Sequence, residues 1–371
     1  MTVPIAPGAW LGLLGGGQLG RMFSMAAQSL GYKVAVIDPG DHSPAGSVAD
    51  RHIRTGYLDP QGLAELAALA AAVTTEFENV PAAALEFLAR TARVMPSAAS
   101  VAIAQDRIAE KAFLSACGVA VAPYVVLRED ADAPSADPAL LPGIVKSARL
   151  GYDGKGQIRV STSTDVVDAF RAMGGLACVL ERRVALTAEV SVVVARNEHG
   201  QTVTWPVAEN RHRDGILDVS IAPARVAEAI ALAAQATASA IAEKLDYRGV
   251  LCVEMFVTAG DRLLVNEIAP RPHNSGHYTI DACVTSQFEQ QARVLAGVPL
   301  GSTHAHGPAV MVNLLGDVWF ATADAVSPTF PARISDSPLT GVPSRCALRY
   351  SPLGRPGGLI ADRRPGCRDR A

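Results

Sequence analysis

Apolar residues fall along this chain in short β-like runs, which alternate with helical stretches over the first hundred residues and pair with one another later. Ala9–Leu14 (AWLGLL) is a short strand running into Gly15-Gly16-Gly17-Gln18-Leu19-Gly20-Arg21; Arg21–Leu30 reads as a helix ended by Gly31, and Lys33–Ile37 (KVAVI) as a strand ending at Asp38. This is a βαβ unit with a glycine-rich first turn. Val73–Asn79 (VTTEFEN) reads as another strand, which puts Glu76 and Glu78 on one face. A helix from Pro81 to about Arg93 closes an α/β domain over residues 1–100. Ser97–Gly118 reads as helix, residues 127–143 as a Pro- and Asp-rich loop. Gly143–Ser147 (GIVKS), Ile158–Val160, Ala177–Arg182 (ACVLER), Glu189–Ala195 (EVSVVVA) and Thr202–Val207 read as strands, with a turn at Asn197–Gly200. Asn210–Arg213 reads as a polar loop and Arg225–Leu245 as a long Ala-rich helix.

The last pair of runs carries the densest chemistry. Val250–Thr258 (VLCVEMFVT) and Leu263–His277 (LLVNEIAPRPHNSGH) flank Ala259-Gly260-Asp261, a hairpin signal. If Gly260 and Asp261 form a two-residue loop, Glu254 faces Glu267 across the ladder, with Cβ atoms about 5 Å apart. Opposed like charges are destabilising, so the pair is either a divalent-cation site, suited to Mg²⁺ bound through nucleotide phosphates, or two solvated glutamates on an exposed face. Arg271, His273, Asn274, Ser275 and His277 crowd polar groups just beyond the strand, a composition suited to an anion.

Other stretches admit two readings each. Gly15, Gly17 and Gly20 fit the spacing of a dinucleotide fingerprint, with Asp38 at the end of the second strand; a tight turn that packs helix on sheet, or a cradle for a nucleotide-ribose phosphate, fits the same residues. Glu76 and Glu78 suit ribose hydroxyls or an amine, or are ordinary edge residues. Lys146 precedes Gly151-Tyr152-Asp153-Gly154-Lys155-Gly156-Gln157, a strand–glycine loop–strand arrangement suited to a lid over phosphates rather than a Walker A loop; a flexible hairpin with a surface lysine is the alternative. His212 alone reads as a surface histidine.

Composition narrows the classes. With 371 residues the chain exceeds one small core, so two or three domains are expected. Hydrophobic content of 49%, charged content of 19% and a net charge of −3 describe a globular protein without a dedicated nucleic-acid surface. No apolar run long enough to span a membrane occurs, and the opening residues show no signal-peptide pattern. Six scattered cysteines without a CxxC suggest reduced thiols in a cytoplasmic setting.

Lysine, glycine lid, strand-end glutamate and paired glutamates, in this order, resemble an ATP-grasp enzyme. Within that superfamily, GGGQLGRM (15–22), TEFENVP (75–81), QDR (105–107), GYDGKGQ (151–157) and NEIAPRPHNSGH (266–277) resemble the 5-(carboxyamino)imidazole ribonucleotide synthases, the ATPase subunits of phosphoribosylaminoimidazole carboxylase. The likeness runs from about residue 10 to Met311–Trp319 (MVNLLGDVW), which separates this family from the formyl-transferring glycinamide ribonucleotide relative; biotin carboxylase shares the chemistry but not these runs. The resemblance implies an ATP-grasp fold with a Rossmann-like preATP-grasp domain over 1–100, an ATP-grasp domain over 101–300 with a lid subdomain at about 128–205, and a small C-terminal domain over 301–371. It implies a cytoplasmic homodimer that uses ATP, Mg²⁺ and bicarbonate to carboxylate the exocyclic amine of 5-aminoimidazole ribonucleotide.

Carried over by position, Arg107 and Lys146 contact ATP phosphates, Gly151–Gln157 form the lid, and Tyr152 and Asp153 also touch the imidazole. Glu181 and Val184 bracket adenine, with Arg182 and Arg183 between them also binding ATP, Glu189 holds the ribose, and His212 lies near the nucleotide. Glu254 and Glu267 bind Mg²⁺ with Asn266 beside them. Gln18, Leu19 and Glu76 contact the ribonucleotide. Arg271 and His273 stand at the bicarbonate or carboxyphosphate end and, with Lys146, are the catalytic candidates. A Rossmann-type oxidoreductase, suggested by GGGQLG and Asp38, explains neither the glycine lid nor the paired glutamates.

The family closes with a tyrosine-glycine-lysine run and a GRKMGH run whose cations help bind the substrate phosphate. From Arg333 this chain instead shows eight Arg, no Lys and no periodicity. A shifted reading frame beginning near Pro331–Arg333 accounts for that change, and leaves an inactive ATP-binding remnant as the alternative to an active enzyme. Resequencing the gene across this point is expected to reveal the shift; an intact in-frame coding sequence for the same tail would sink the idea.

Overall fold

The structure, a computed structural model, describes residues 3–149, 151, 156–213, 215–314 and 346–350. Among these residues, β1 (Trp10–Leu14), β2 (Lys33–Ile37), β3 (Arg51–Ile53), β4 (Ala70–Thr75) and β5 (Arg93–Val94) form a parallel sheet in the order β3-β2-β1-β4-β5. Leu11, Leu13, Val34 and Val36 point to one face, against Phe23 and Ala27 of α1 (Gln18–Ser29). Leu14, Ala35, Ile37 and Val73 point to the other, against Leu63 and Leu66 of α2 (Pro60–Leu69) and Leu85 and Leu88 of α3 (Ala82–Leu88). Burial on both faces is why these strands read as unbroken apolar runs.

The glycine-rich turn differs from a dinucleotide cradle. Helix α1 starts at Gln18, three residues before the expected Arg21, because Glu76 accepts hydrogen bonds from the backbone N–H of Gly17 (2.6 Å) and Gly20 (2.9 Å). Asp38 accepts from Gly16 N–H (2.9 Å) and from the Tyr57 hydroxyl (2.9 Å). Two carboxylates of the protein thus fill the donors that a pyrophosphate would need, which overturns the oxidoreductase reading. Glu76 and Glu78 do not share a strand face either: β4 ends at Thr75, level with Leu14 of β1, and both glutamates lie in the loop beyond.

The predicted helix over 97–118 is two helices, α4 (Ala98–Ala104) and α5 (Arg107–Ala116), broken at Asp106. The Asp106 carboxylate caps α5 by accepting from Ile108 N–H (3.0 Å) and Ala109 N–H (3.3 Å), which fixes Arg107 in the first turn. A second, antiparallel sheet follows: β6 (Tyr124–Leu127), β7 (Gly143–Ser147), β8 (Gln157–Val160) and β9 (Cys178–Arg182), in the order β6-β9-β7-β8. Val145, Val160 and Leu180 face α6 (Ser163–Ala172); strand alternation then sends Lys146 and Glu181 to the opposite face.

The largest sheet contains β10 (Leu186–Arg196), β11 (Thr202–Thr204), β12 (Ala208–Arg213) and β13 (Ile216–Ala222). After α7 (Glu228–Lys244) come β14 (Gly249–Thr258), β15 (Arg262–Ala269), α8 (Thr279–Ala282), α9 (Gln287–Ala296), β16 (Ala309–Leu314) and β17 (Cys346–Tyr350). Its order is β15-β14-β10-β12-β13-β16-β17, with β11 on β10. Val190, Val192 and Val194 pack on Ala234, Ala238 and Ile241 of α7, while Ser191, Val193 and Ala195 turn to the face that holds Cys252, Trp205 and Tyr278. Asn210–Arg213, expected to be a loop, belong to β12: cross-strand bonds to β10 and β13 override the local polarity.

The hairpin brings Glu254 opposite Glu267, but by a different route from the one expected. Thr258 pairs with Arg262, so the loop has three residues, Ala259, Gly260 and Asp261. A bulge at Asn266, between the Met255–Val265 and Glu254–Glu267 pairs, then restores the register. Helix α9 packs its Phe288, Ala292 and Leu295 against α1 and β1, and so joins the largest sheet's domain to the first sheet. In the tail, Cys346–Tyr350 run parallel to β16, a strand the sequence did not suggest; the reading-frame question otherwise lies outside the described residues.

Replacing Glu76 by Ala leaves the buried Gly20 N–H and the half-buried Gly17 N–H without an acceptor. The urea midpoint of the ligand-free Glu76→Ala chain is expected to fall by the equivalent of about 2–4 kcal/mol; an unchanged midpoint would mean that the side chain serves only a ligand.

Candidate active site

The second and third sheets enclose a cavity of about 580 Å³, within the range of small-molecule sites. Lys146, Gln157, Glu181, Arg182, Arg183, Val184 and Gly151 line it on the side of the second sheet. Arg107, Glu189, His212, Glu254, Asn266, Glu267, Arg271 and His273 line the opposite side. Residues far apart in sequence thus share one chamber. Gly156 precedes β8 with a φ of +67°, and Tyr152, Asp153, Gly154 and Lys155 lie outside the described residues.

Cations and carboxylates alternate around the chamber. Lys146 Nζ donates to Glu181 Oε2 at 2.9 Å, and Lys111 Nζ stands 3.3 Å from Glu181 Oε1. All three side chains are buried. Burial disfavours the Glu181 charge, but the two ammonium groups overcome it and hold the carboxyl below its ordinary value. Burial pushes Lys146 down in spite of Glu181, with Arg107 and Lys111 adding to the push. Arg107 pairs with Glu267 (3.2 Å), His273 with Glu254 (2.9 Å), His212 with Glu189 (2.7 Å) and Arg271 with Glu78 (2.5 Å). Burial would raise Glu78, and Arg271 keeps it low; burial would lower His212, and Glu189 raises it.

Three buried atoms facing this chamber have no hydrogen-bond partner: Arg107 Nε, Glu181 Oε1 and Asn266 Oδ1. Glu181 Oε1 still has the Lys111 ammonium 3.3 Å away, so the open donor of Arg107 and the open acceptor of Asn266 are the clearer marks of ligand positions, since buried polar groups are normally satisfied. Asn266 Oδ1 is open because the bulge turns Asn266 out of the ladder, beside Glu267. Two facing carboxylates and an open amide oxygen are a hard-oxygen set of the kind Mg²⁺ takes. Among the described residues no three His, Cys, Asp or Glu side chains converge as a metal cage, which leaves phosphate oxygens to complete any such site.

Gln18, Leu19 and Glu76 do not line this chamber. Glu76 is committed to capping α1, and with Leu19 it borders a small separate space. Gln18 Nε2 reaches His277 Nε2 at 3.0 Å, which ties the first glycine-rich turn to the segment after β15. Sequence reasoning placed Lys111 on the helix with Asp106 and Arg107, and Gln105 in the QDR run, but gave neither a role, and it missed Glu110. Lys111 and Glu110 sit on the buried face of α5, a position that reads as core. Gln105 holds the Glu78 loop by donating to Glu78 O (2.6 Å) and Val80 O (2.5 Å). Its place beside Asp106 and Arg107 in the QDR run was the available signal.

The family model of the ribonucleotide synthetase preATP-grasp domain matches residues 9–105, and that of the ATP-grasp domain matches residues 112–288. An N5-carboxyaminoimidazole ribonucleotide synthase of Brucella melitensis is 46% identical over 316 residues, 84% of this chain and 87% of its own length. That of Bacillus subtilis is 44% identical over 84% of this chain and 83% of its own. The chain belongs to the N5-carboxyaminoimidazole ribonucleotide synthase family. A crystal structure of such a synthetase in complex with ADP matches with a TM-score of 0.83 at 43% identity, covering 86% of this chain and 85% of the other. One from Aspergillus clavatus with ADP and 5-aminoimidazole ribonucleotide matches at 0.79 and 31% identity, covering 85% and 84%. The synthase family thus bears out the ATP-grasp and preATP-grasp architecture expected from the motifs.

Glu110 gives the site a pH signature. Burial first, and then the Glu267 charge, push its carboxyl from 4.5 up to about 8 against the pull of Arg107, while it accepts from Ile268 N–H (2.7 Å). The folded chain keeps that proton where the unfolded chain has lost it, so this group's contribution to stability falls as pH rises from 4.5 towards 8. Glu110→Gln is expected to flatten this dependence and to gain on the native chain by a few kcal/mol between pH 5 and pH 8. Urea unfolding at the two pH values measures it; parallel losses in both chains would count against a proton on Glu110.

Proposed function

We propose that this chain carboxylates 5-aminoimidazole ribonucleotide with bicarbonate and ATP, giving 5-(carboxyamino)imidazole ribonucleotide, ADP and phosphate. The observation that carries the reading is the chamber itself. It joins a buried lysine, an arginine and a pair of facing carboxylates to unpaired donors and acceptors, in a chain that shares 46% identity with a synthase over 84% of its length.

In this reading Lys146 and Arg107 neutralise the phosphates of ATP, and the open Arg107 Nε supplies a further donor to them. Glu181 Oε1 is an acceptor suited to the adenine amine, beside the backbone of Arg182, Arg183 and Val184; Glu189 takes the ribose. Glu254, Glu267 and Asn266 hold Mg²⁺, which neutralises phosphate charge when bound. Gly151–Gln157 close over the nucleotide. Arg271 and His273 orient bicarbonate so that its oxygen attacks the γ-phosphate, and the resulting carboxyphosphate, or the CO₂ released from it, meets the exocyclic amine. Excluding water matters because carboxyphosphate hydrolyses readily. Gln18, Leu19 and Glu76 border the ribonucleotide, with Tyr152 and Asp153 reaching its imidazole. The division into residues 1–100, 101–300 and 301–371, a homodimer and a cytoplasmic location accompany this reading. No helix among the described residues is long and apolar enough to cross a membrane.

The test is ADP release by the full chain with Mg-ATP and bicarbonate, with and without 5-aminoimidazole ribonucleotide. Release stimulated at least about tenfold by the ribonucleotide is expected for an enzyme whose chemistry waits on its acceptor. ATP binding without stimulation would favour the inactive remnant.

A further inference from the structure

A line of buried polar side chains crosses the floor of the third sheet, and neither the ion pairs nor the orphaned atoms of the chamber account for it. Ser220 on β13 donates its hydroxyl to Asn210 Oδ1 (2.8 Å); Asn210 Nδ2 on β12 donates to Ser191 Oγ (2.9 Å); Ser191 on β10 donates to Ser275 Oγ (2.7 Å). Ser275 Oγ lies 2.8 Å from Nδ1 of His273, whose Nε2 meets Glu254 Oε1 at 2.9 Å. Cys252 Sγ is the other neighbour of Ser275 Oγ, at 3.8 Å. All four side chains before His273 are buried, three of them on adjacent strands of one sheet and Ser275 in the turn after β15. Polar groups so placed are stabilising only when every one is satisfied, and this line leaves no hydroxyl or amide without a partner.

The line has a direction. The backbone N–H of Ser275 can only donate, and it points at His273 Nδ1 from 3.3 Å. Nδ1 is therefore an acceptor, and the Ser275 hydroxyl, already accepting from Ser191, is free to donate to it as well. With Nδ1 filled from that side, the ring proton belongs on Nε2, facing Glu254. Reversing the Asn210 amide would reverse every hydroxyl and force Nδ1 to donate, against the Ser275 N–H. The His273 backbone is pinned independently: its N–H donates to Gln287 Oε1 (2.9 Å) and its carbonyl accepts from Gln287 Nε2 (2.7 Å).

We propose that Ser275, Ser191, Asn210 and Ser220 are positioning residues that lock the His273 ring with Nε2–H directed at Glu254. They act on the reaction through a carboxylate that the reading above places beside the phosphates, and the inference rests on that reading only for its effect on turnover. The ring orientation itself is a property of this chain alone.

The test combines nitrogen spectra with kinetics on the full chain. The native protein is labelled with ¹⁵N-histidine, and His273→Gln assigns the resonances. Nδ1 of His273 is expected to be unprotonated and Nε2 protonated. In Ser191→Ala the single tautomer gives way to a mixture, and kcat for ribonucleotide-dependent ADP release falls about tenfold to a hundredfold, as for other residues that orient a site histidine, with KM for ATP changed less than about twofold. Ser191→Thr, which keeps the hydroxyl, restores both. Should Ser191→Ala not fold, Ser220→Ala at the far end of the line shifts the tautomer in the same direction. A protonated Nδ1 in the native chain overturns the proposal, as does a folded Ser191→Ala chain with the native tautomer. If the native chain shows no ribonucleotide-stimulated turnover, the functional reading fails and the spectra still decide the lock.

Discussion

Glu254 and Glu267 face each other across β14 and β15, and the chamber is built around the need to compensate them. Two carboxylates held that close repel, and burial raises the cost of charge on Glu254. The protein supplies one partner to each from a different element: an imidazole nitrogen of His273 from the segment after β15, and the guanidinium of Arg107 from the first turn of α5. Those two partners fix where the elements carrying them can lie. Asp106 must break the helix over 97–118 for Arg107 to reach in, and Gln287 and Ser275 must hold His273.

The same rule spreads outward. Lys146 on the second sheet is held by Glu181, which also meets Lys111 of α5, so the second sheet and α5 meet through one buried charge cluster. Arg271 reaches out of the third sheet to Glu78 in the loop after β4, and Gln105 holds that loop by its carbonyls. Every cation of the chamber named here thus has a carboxylate partner in the ligand-free chain. An anion entering the chamber must outcompete that partner or be added to it, and this favours ligands that bring several charges at once.

The N-terminal sheet shows how one loop motif can serve two ends. Gly15, Gly17 and Gly20 have the spacing of a dinucleotide turn, yet the donors they expose are taken by Glu76 and Asp38. The turn faces the rest of the molecule instead, with Gln18 reaching His277 and α9 packed on α1.

The sequence by itself determined the parallel first sheet, the strand–glycine loop–strand hairpin of β7 and β8, the later hairpin and the family, because short apolar runs, glycine turns and spaced motifs are local signals. It also paired Glu254 with Glu267, though through a two-residue loop; the chain reaches the same pairing with a three-residue loop and a bulge at Asn266. The bulge stands at Asn266, whose buried amide oxygen is left without a partner, and no local pattern announces it. Tertiary structure alone decided which cation meets which carboxylate, since Arg107 and Glu267, or Arg271 and Glu78, are distant in sequence and become neighbours only when three sheets close. It also decided that Asn210, polar in a polar run, is a buried strand residue, because its hydrogen bonds come from Ser191 and Ser220 on the strands beside it.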